Sequence, residues 1–248
     1  MKRLEGRAAV VTGAASGIGL AIAEALVAER VRVLVTDRDE STLQAAADAL
    51  RARGGEVDML IVDVSDPDAV EQAADRAVTR FGALHIAVNN AGIVNGGKSW
   101  ELDLAEWHRV LDVNLWGVIH GVRAFVPRIL ATGEEGHVVN IASMAAVLPR
   151  ASLGPYTVAK HGVLGLSDVL RAELLQVSVP VGVSVVMPGM IRTGMNPIGV
   201  VESSTVAANV LDALRRDRPY VFTDDHSADA VEQRLRAILA ARAEVLEN

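Results

Sequence analysis

The sequence predicts an α/β fold in which helices cover both faces of a largely parallel sheet. Short runs of β-branched residues alternate along the chain with helical patterns rich in alanine, leucine and charge, as expected of strand-helix-strand units. Half of the residues are apolar but only 3% are aromatic, so small aliphatic side chains must fill the core, as in sheets buried on both faces. At 248 residues, one core is the expected organisation.

Seven strands and six helices are expected in alternation. The predicted strands are Ala8–Thr12, Val31–Asp37, Asp58–Asp63, Ile86–Asn89, His137–Ile141, Gly182–Met187 and, as a seventh, Tyr220–Thr223. The predicted helices are Glu24–Arg30, Thr42–Arg53, Pro67–Phe81, Leu104–Leu130, Tyr156–Val177 and a last one from about Asp229 to Glu244. Gly54-Gly55 and Gly82 are interpreted as helix stops. No internal repeat or linker interrupts the sequence, so residues 1–248 are interpreted as a single domain.

The bulk properties argue against several classes of function. The formal net charge is −7 and no window gathers Lys and Arg into a long basic face, so no nucleic-acid partner is expected. The longest apolar runs, Val31–Thr36 and Val181–Met187, are too short to span a bilayer, and Met1–Gly6 leaves no room for a signal peptide. We therefore expect a soluble, cytoplasmic protein without a membrane partner. Zero cysteines and six histidines without paired spacing predict no metal site.

A glycine-rich turn connects the first predicted strand to the first helix. It runs from Thr12 to Gly19, and its spacing Gly-x-x-x-Gly-x-Gly differs both from the commoner Gly-x-Gly-x-x-Gly fingerprint and from a P-loop. A tight turn at this position lets backbone N–H groups reach a pyrophosphate. An ordinary strand-to-helix turn is the alternative. The predicted phosphate cradle consists of Gly13, Ser16, Gly17, Ile18 and Gly19.

Acidic residues at strand ends are candidate contacts for an adenosine moiety. Asp37 ends the second strand, where a carboxylate accepts hydrogen bonds from a ribose and repels a 2′-phosphate, which favours NAD(H). Arg38 follows directly and could tolerate that phosphate, so NADP(H) stays open, as does a simple solvated turn. Asp63 is the last residue of the third predicted strand, and Val64 follows it. Asp63 could bond the adenine amino group or merely cap the next helix.

The fourth predicted strand ends in small and amide residues. The segment Asn89-Asn90-Ala91-Gly92 can bring backbone close to a ligand while its amides bond neighbouring loops. Taken alone, it is also compatible with a structural turn. We include Asn90, Ala91 and Gly92 among the candidate cofactor contacts.

A tyrosine and a lysine are the candidate proton-transfer groups. Tyr156 and Lys160 lie four residues apart, on one face at the start of a predicted helix. A free tyrosine is a poor base at neutral pH, but an adjacent cation stabilises the phenolate. The pair alone is weak evidence, since surface helices often carry one. Ser143 strengthens it, because it follows the fifth strand and its hydroxyl could bond a substrate oxygen.

Taken together, these segments resemble the short-chain dehydrogenase/reductase family in order and spacing, from about Gly6 to Thr193. The residues that carry the resemblance are the glycine loop, Asn89-Asn90-Ala91-Gly92, Asn114, Ser143, Tyr156, Lys160 and Pro188-Gly189. The resemblance implies a single Rossmann-type domain, doubly wound, with a seven-stranded parallel sheet. It also implies hydride transfer between a nicotinamide ring and a carbonyl or alcohol carbon, as in an alcohol dehydrogenase or ketone reductase.

The resemblance assigns roles to individual residues. It implies that Tyr156 takes the alcohol proton during oxidation or donates one during reduction, while Ser143 holds the reacting oxygen. Lys160 would bond the nicotinamide ribose and lower the pKa of the tyrosine. Asn114 would anchor a water linking that lysine to solvent, which is compatible with a structural role within a long helix. The implied cofactor contacts after the sixth strand are Pro188, Gly189, Ile191 and Thr193.

The substrate pocket of this family is made by the segments after Asn90, between Ser143 and Tyr156, and after Pro188. The corresponding residues here are Val94, Ser143, Ala145, Leu153, Met190, Met195 and Ile198. This set is apolar and lacks a clear charged clamp, which favours a small hydrophobic alcohol or ketone as substrate. Residues 190–202 are interpreted as a substrate loop, either a closing lid or an ordinary exposed loop.

The chain departs from the family pattern after Thr193. Many members end with a glycine-rich strand and tail that help to build a tetramer, whereas this chain has Arg218–Thr223 and then a charged helix. We still expect a homotetramer or homodimer, with Leu104–Leu130 and Tyr156–Val177 as the contact helices.

Two competing functions remain at this point. The first is dehydration or epimerisation with bound NAD, and the second is an NAD-binding regulatory or scaffold protein without turnover. The complete set of Ser143, Tyr156 and Lys160 favours redox turnover over both.

Overall fold

The structure is a computed structural model that describes residues 1–196, 198–223, 225 and 227–246. Its first half alternates strand and helix in the order β1 Ala8–Thr12, α1 Gly17–Ala28, β2 Arg32–Asp37, α2 Glu40–Ala52, β3 Val57–Ile61, α3 Pro67–Phe81 and β4 Ile86–Asn89. The main difference from the prediction is that α1 begins at Gly17 rather than at Glu24. Glycine is a poor helix former, so the two glycines of the first turn concealed the true start.

The second half contains the remaining elements and more irregular structure. It consists of α4 Leu104–Leu111, a π-helical segment Asp112–Trp116, α5 Gly117–Leu130, β5 Gly136–Ile141, a 3-10 turn Met144–Ala146, α6 Gly154–Leu174, β6 Val181–Met187, β7 Ile191–Arg192, β8 Val201–Glu202, α7 Ser203–Arg216, β9 Tyr220–Phe222 and α8 Ala228–Leu246. The predicted helix Leu104–Leu130 is therefore continuous but passes through a π-helical turn. The helix α7 and the short β7–β8 pair were not predicted from the sequence.

Seven strands form one parallel sheet. Their order is β3-β2-β1-β4-β5-β6-β9, so the chain reverses its direction of travel across the sheet between β1 and β4. The loops that follow these two strands diverge, which opens a crevice at the carboxyl edge of the sheet. The ends of β1, β2, β4, β5 and β6 all lie at that edge, where the candidate site residues follow them.

Helices cover both faces of the sheet. On one face α1, α2 and α7 pack against the strands, with Leu26, Leu43 and Val210 fully buried. On the other face α3, α5 and α6 pack, and Phe125 is fully buried there. The doubly wound Rossmann-type architecture expected from the sequence is confirmed. None of the helices in the described ranges combines the length and apolar character that a membrane span requires.

Candidate active site

A cavity of about 910 Å³ opens at the carboxyl edge of the sheet, beside the point where the strand order reverses. Nearly all of the candidate residues line it. On the cofactor side these are Gly13, Ser16, Gly17, Ile18, Asp37, Arg38, Asp63, Val64, Asn90, Ala91, Gly92, Pro188, Gly189, Ile191 and Thr193. The others are Val94, Asn114, Ser143, Ala145, Leu153, Tyr156, Lys160, Met190 and Met195. Gly19 and Ile198 are not part of the wall.

Two glycines, Gly13 and Gly19, let the turn after β1, the first turn of α1 and the loop after β4 approach one another closely. Gly13 has φ +63°, and a Cβ on it would lie 2.7 Å from the Cα of Ala91. A Cβ on Gly19 would overlap the carbonyl oxygen of Gly13 and lie 2.5 Å from the Asn90 amide nitrogen. Gly19 was expected in the phosphate cradle itself. Instead it lies behind the loop, where the lack of a side chain lets α1 pack against it.

Asn90 holds the loop after β4 against the glycine turn. Its side-chain Nδ2 donates to the carbonyl oxygens of Thr12 and Gly13 at 2.9 and 3.0 Å. The backbone N–H groups of Asn90 and Ala91 both donate to the Thr12 hydroxyl, at 3.0 and 3.1 Å. These four bonds join the two loops on either side of the crevice. Asn90 therefore shapes the cavity as well as lining it.

The Asp37 carboxylate faces the glycine turn from the end of β2. Its Oδ2 accepts from the backbone N–H of Ala15 at 3.2 Å, and its Oδ1 accepts from the N–H of Arg38 at 2.8 Å. The carboxylate is thus held in place by backbone, while its remaining lone pairs are available to a ligand. This placement matches the position expected for a ribose contact.

Asp63 has an evident structural role. Its Oδ1 accepts from the backbone N–H and the hydroxyl of Ser65, at 2.9 and 2.7 Å. The hydrogen bond from the Ser65 hydroxyl is the main reason why the pKa of Asp63 lies below its usual value, and the charge of Arg38 adds a smaller contribution. The alternative that Asp63 caps the next helix is wrong, because the N-cap of α3 is Asp66; Asp63 instead holds the turn before that helix and, with Val64, lines the cavity.

Asn114 lies in the π-helical segment between α4 and α5 and is completely buried. Its Nδ2 donates to the carbonyl oxygens of Ile93 and Val110, both at 2.9 Å, and its Oδ1 accepts from the Ile93 N–H at 3.2 Å. A Cβ built on Gly92 would lie 2.8 Å from Asn114 Oδ1 and 3.7 Å from Lys160 Nζ. The amide and the ammonium therefore border the same small space beside Gly92. Such π-helical turns are frequent at functional sites.

Ser143 follows β5 and begins the 3-10 turn. Its hydroxyl accepts from the backbone N–H of Ala145 at 3.1 Å, and Ser143 lines the same cavity as Tyr156. Met144 N–H donates to the Pro188 carbonyl at 3.0 Å, which fixes the turn against the loop after β6. The serine hydroxyl and the phenol thus lie side by side in the cavity.

Lys160 lies one helical turn after Tyr156 on α6. Its Nζ is 5.6 Å from the centre of the Tyr156 ring and donates to the Ile141 carbonyl at 2.8 Å. Only 3% of the residue is exposed, and this burial lowers the pKa of Lys160 to about 8.

The pKa of Tyr156 differs from the sequence-based expectation. The resemblance implied that Lys160 lowers it, but burial raises the pKa above the usual value, while the hydrogen bond with Ser143 opposes that rise. The uncharged phenol is therefore the resting form at neutral pH.

The loop after β6 carries the remaining candidate cofactor contacts. Gly189 N–H donates to the Thr223 hydroxyl at 3.3 Å, and the Thr193 hydroxyl accepts from the Asn196 N–H at 3.2 Å. The Thr193 methyl lies 3.3 Å from the position of a Cβ on Gly17, so this loop reaches across to the glycine turn. The cavity is closed on this side by contact between the two loops.

The apolar side of the cavity is formed by long, partly exposed side chains. Met195 is 53% exposed and lines it, whereas Ile198 is 78% exposed and does not. Ile198 was a candidate pocket residue, in a segment interpreted either as a closing lid or as an ordinary exposed loop. The β7–β8 pairing turns this part of the chain outward, and Pro197 lies outside the described residues.

Several lining residues were not singled out from the sequence. The polar ones are Arg150, Asn196 and Ser227, and the apolar ones include Met144 and Val200. Arg150 sits in no recognisable motif. Its position between two pocket residues, Ala145 and Leu153, was the only available signal.

Comparison with known proteins extends over both halves of this site. The model of the short chain dehydrogenase family matches residues 7–198. A 1-deoxy-11-beta-hydroxypentalenate dehydrogenase of Streptomyces avermitilis is 40% identical over 233 residues, which cover 89% of this chain and 86% of the relative. These matches include the glycine turn as well as Ser143, Tyr156 and Lys160.

Solved structures agree with the fold over nearly its full length. A short chain dehydrogenase/reductase from Burkholderia phymatum in complex with NAD superposes with a TM-score of 0.94 at 33% identity, covering 97% of each chain. A variant of actinorhodin polyketide ketoreductase with NADPH superposes with a TM-score of 0.83 at 31% identity, covering 90% of this chain and 97% of that one. The two neighbours thus differ in the nicotinamide cofactor named with them.

Proposed function

Because the chain belongs to the short-chain dehydrogenase/reductase family of Rossmann-fold oxidoreductases, we propose that it interconverts a secondary alcohol and a ketone with NAD(H). One observation carries the proposal. The Ser143 hydroxyl and the Tyr156 phenol line one cavity, Lys160 lies beside the tyrosine ring, and that cavity extends to the glycine turn after β1. A proton-transfer group and a dinucleotide cradle therefore share one space.

The residues around the glycine turn fit a dinucleotide. Gly13 and Gly17 leave the cavity wall without side chains, and the N-terminus of α1 provides N–H groups for a pyrophosphate. Lys160 would bond the nicotinamide ribose, and Thr193 with the Ile191 backbone would hold the carboxamide end. When bound, the dinucleotide supplies the hydride-transfer chemistry.

The position of Asp37 supports a preference for NAD(H) over NADP(H). Its carboxylate is fixed toward the cavity by Ala15 and Arg38, so a 2′-phosphate at the adenosine ribose would face a negative charge. We expect kcat/KM with NADH to exceed that with NADPH by at least about tenfold, and Asp37→Ser to reduce this ratio. A native preference for NADPH would contradict this assignment.

Tyr156 is proposed as the general acid and base. In reduction its phenol donates a proton to the ketone oxygen, which the Ser143 hydroxyl holds, and in oxidation the phenolate takes the alcohol proton. The raised pKa of Tyr156 keeps the phenol protonated, which suits donation. The Lys160 ammonium stabilises the phenolate that forms, and Asn114 is proposed to hold a water that exchanges protons with the lysine.

The substrate is proposed to be a small hydrophobic molecule. Val94, Leu153, Met190 and Met195 line the same cavity as Tyr156, and apolar side chains of this kind suit an apolar ligand. The name of the relative from Streptomyces avermitilis, a hydroxypentalenate dehydrogenase, supports an alcohol as the reduced partner.

The test is a panel of cyclic and aryl ketones mixed with NADH, followed by the near-ultraviolet absorbance of the reduced nicotinamide. We expect ketone-dependent consumption of NADH. A protein that changes the fluorescence of NADH but consumes none with any ketone would instead be a binding or scaffold protein, and the proposal would fail.

A homo-oligomer formed through α4, α5 and α6 remains our proposal for the assembly. Leu104, Trp116, Val158 and Val169 are large apolar side chains on these helices or the π-helical segment between them, and each is about half exposed or more. Light scattering should give two or four times the mass of one chain. A mass equal to that of one chain would contradict this proposal.

A further inference from the structure

The charged residues that line the cavity are divided between its two ends. In the part of the chain that the structure describes they are Asp37, Arg38, Asp63, Lys160 and Arg150. The first three follow β2 and β3 on the cofactor side. Lys160 is buried and bonded to the Ile141 carbonyl. Arg150 is therefore the charge that borders the apolar, substrate-facing part.

Arg150 lies in the segment between the 3-10 turn and α6. Its backbone carbonyl accepts from Leu153 N–H at 3.3 Å, just before the helix that carries Tyr156 begins. Its side chain is exposed and, among residues 1–196, 198–223, 225 and 227–246, takes part in no ion pair or side-chain hydrogen bond. By contrast, Arg128 pairs with Glu71 and Asp75. Within these described residues, Arg150 thus has no structural partner.

We propose that the Arg150 guanidinium binds a carboxylate of the substrate, so that the site takes apolar hydroxy acids and the corresponding keto acids. This inference rests on the proposed function, because it specifies the substrate of the same cavity. The apolar body contacts Leu153, Met190 and Met195, and the carbon that reacts lies at Ser143 and Tyr156. A guanidinium offers two parallel N–H donors that match the two oxygens of a carboxylate.

A carboxylate fits this site better than a phosphate. One guanidinium balances one negative charge, whereas a phosphate monoester carries about two near neutral pH. Lys160, the cation beside Tyr156, is buried and is assigned to the nicotinamide ribose in the proposed function, so it does not serve as a second phosphate contact. The sequence had suggested a pocket without a charged clamp; Arg150 supplies one.

The test compares keto acids with their methyl esters. Each pair has the same apolar ring and ketone, so the two members differ in one charge. We expect native protein with NADH to reduce the acid with a kcat/KM about tenfold to a hundredfold above that of the ester, mainly through KM. Arg150→Met should bring the two values together, and Arg150→Lys should keep part of the difference because it keeps the charge but loses the paired donors.

Binding gives a second readout that does not need turnover. The hydroxy acid and its ester are titrated into the protein–NADH complex, and calorimetry gives both dissociation constants, with the same selectivity expected. Arg3→Met is the matched control, because Arg3 is exposed and absent from the cavity wall. It should leave the selectivity unchanged.

Two results would overturn the inference. One is equal or better use and binding of the esters by native protein. The other is a preference for the acids that survives Arg150→Met. Failure of the proposed function looks different, because neither acids nor esters would then be reduced, while the binding experiment would still report whether Arg150 recognises the carboxylate.

Discussion

The two ends of the cavity are built in different ways. The cofactor side is held by backbone: the glycine turn, the β4 loop and the end of β2 are joined through Asn90, Thr12 and Asp37 by hydrogen bonds of 2.8–3.2 Å. The substrate side is formed by side chains from loops, and Met195 there is 53% exposed. Tyr156 and Lys160 lie between the two.

This difference predicts which substitutions in the cavity wall the protein should tolerate. A change in the backbone-held side shifts several segments at once, because each segment contacts the next. A change on the substrate side removes contact area but leaves its neighbours in place. We therefore expect the first kind of substitution to weaken cofactor binding strongly and the second to alter only substrate affinity.

The largest of these effects is expected for Gly19→Ala. The added methyl group would overlap the Gly13 carbonyl, and backbone must move to accommodate it. Such overpacking costs about 1–3 kcal/mol, which corresponds to about tenfold to a hundredfold weaker NADH binding if the turn yields. Calorimetric titration of NADH measures it.

The control is Gly165→Ala in α6. Gly165 has open space around the position of a Cβ, so the same substitution should leave NADH affinity unchanged and slightly stabilise the helix. Equal NADH affinity for the Gly19→Ala and native proteins would show that the turn is not constrained as described.

A smaller effect is expected for Met195→Ser. Loss of a half-exposed apolar side chain from the cavity wall should raise KM for an apolar ketone by about threefold to tenfold, with the dissociation constant of NADH unchanged. Ile198→Ser is the matched change in the same loop, and it should alter neither quantity. If Ile198→Ser raises KM as much as Met195→Ser, the loop closes over substrate as the sequence had suggested.

The smallest effect is expected for Lys160→Met. It concerns the free energy of unfolding of the protein without cofactor. Burial lowers the pKa of Lys160 from 10.5 to about 8, so below pH 8 the folded protein holds a poorly solvated charge. Between about pH 8 and 10.5 the folded state has released this proton and the unfolded state has not, so native stability rises with pH there. The methionine variant avoids the buried charge but leaves the Ile141 carbonyl without its donor.

We expect a net gain of about 1 kcal/mol in the free energy of unfolding of Lys160→Met at pH 7, which disappears as the pH rises above 8 and reverses toward pH 10.5, where the native protein no longer holds the buried charge. Urea unfolding at several pH values measures it. A destabilised variant whose difference from the native protein does not vary with pH would contradict the assigned pKa of Lys160.

The backbone-held side was largely predictable from the sequence. Glycines at Gly13 and Gly17 mark positions of positive φ, and a carboxylate at the end of β2 is recognisable by its spacing alone. The fold followed from the alternation of strands and helices. Gly19 packs tightly and does not line the cavity, and a glycine required for packing looks the same in a sequence as one required for ligand approach.

The substrate side was less predictable because its residues carry no motif. Arg150 becomes notable only from its place in the cavity and from the lack of a partner among the residues that the structure describes. The π-helical turn at Asn114 adds one residue to a helical turn, and no residue type in the sequence marks such a turn. The raised pKa of Tyr156 depends on burial, which the four-residue spacing to Lys160 does not reveal.

The most direct test of the account is Tyr156→Phe, assayed with NADH and a ketone that the native protein reduces. The substitution removes only the phenolic hydroxyl, so we predict native NADH affinity together with a loss of about a thousandfold in kcat. Turnover close to that of the native protein would contradict the role of Tyr156 as the acid and base of this site.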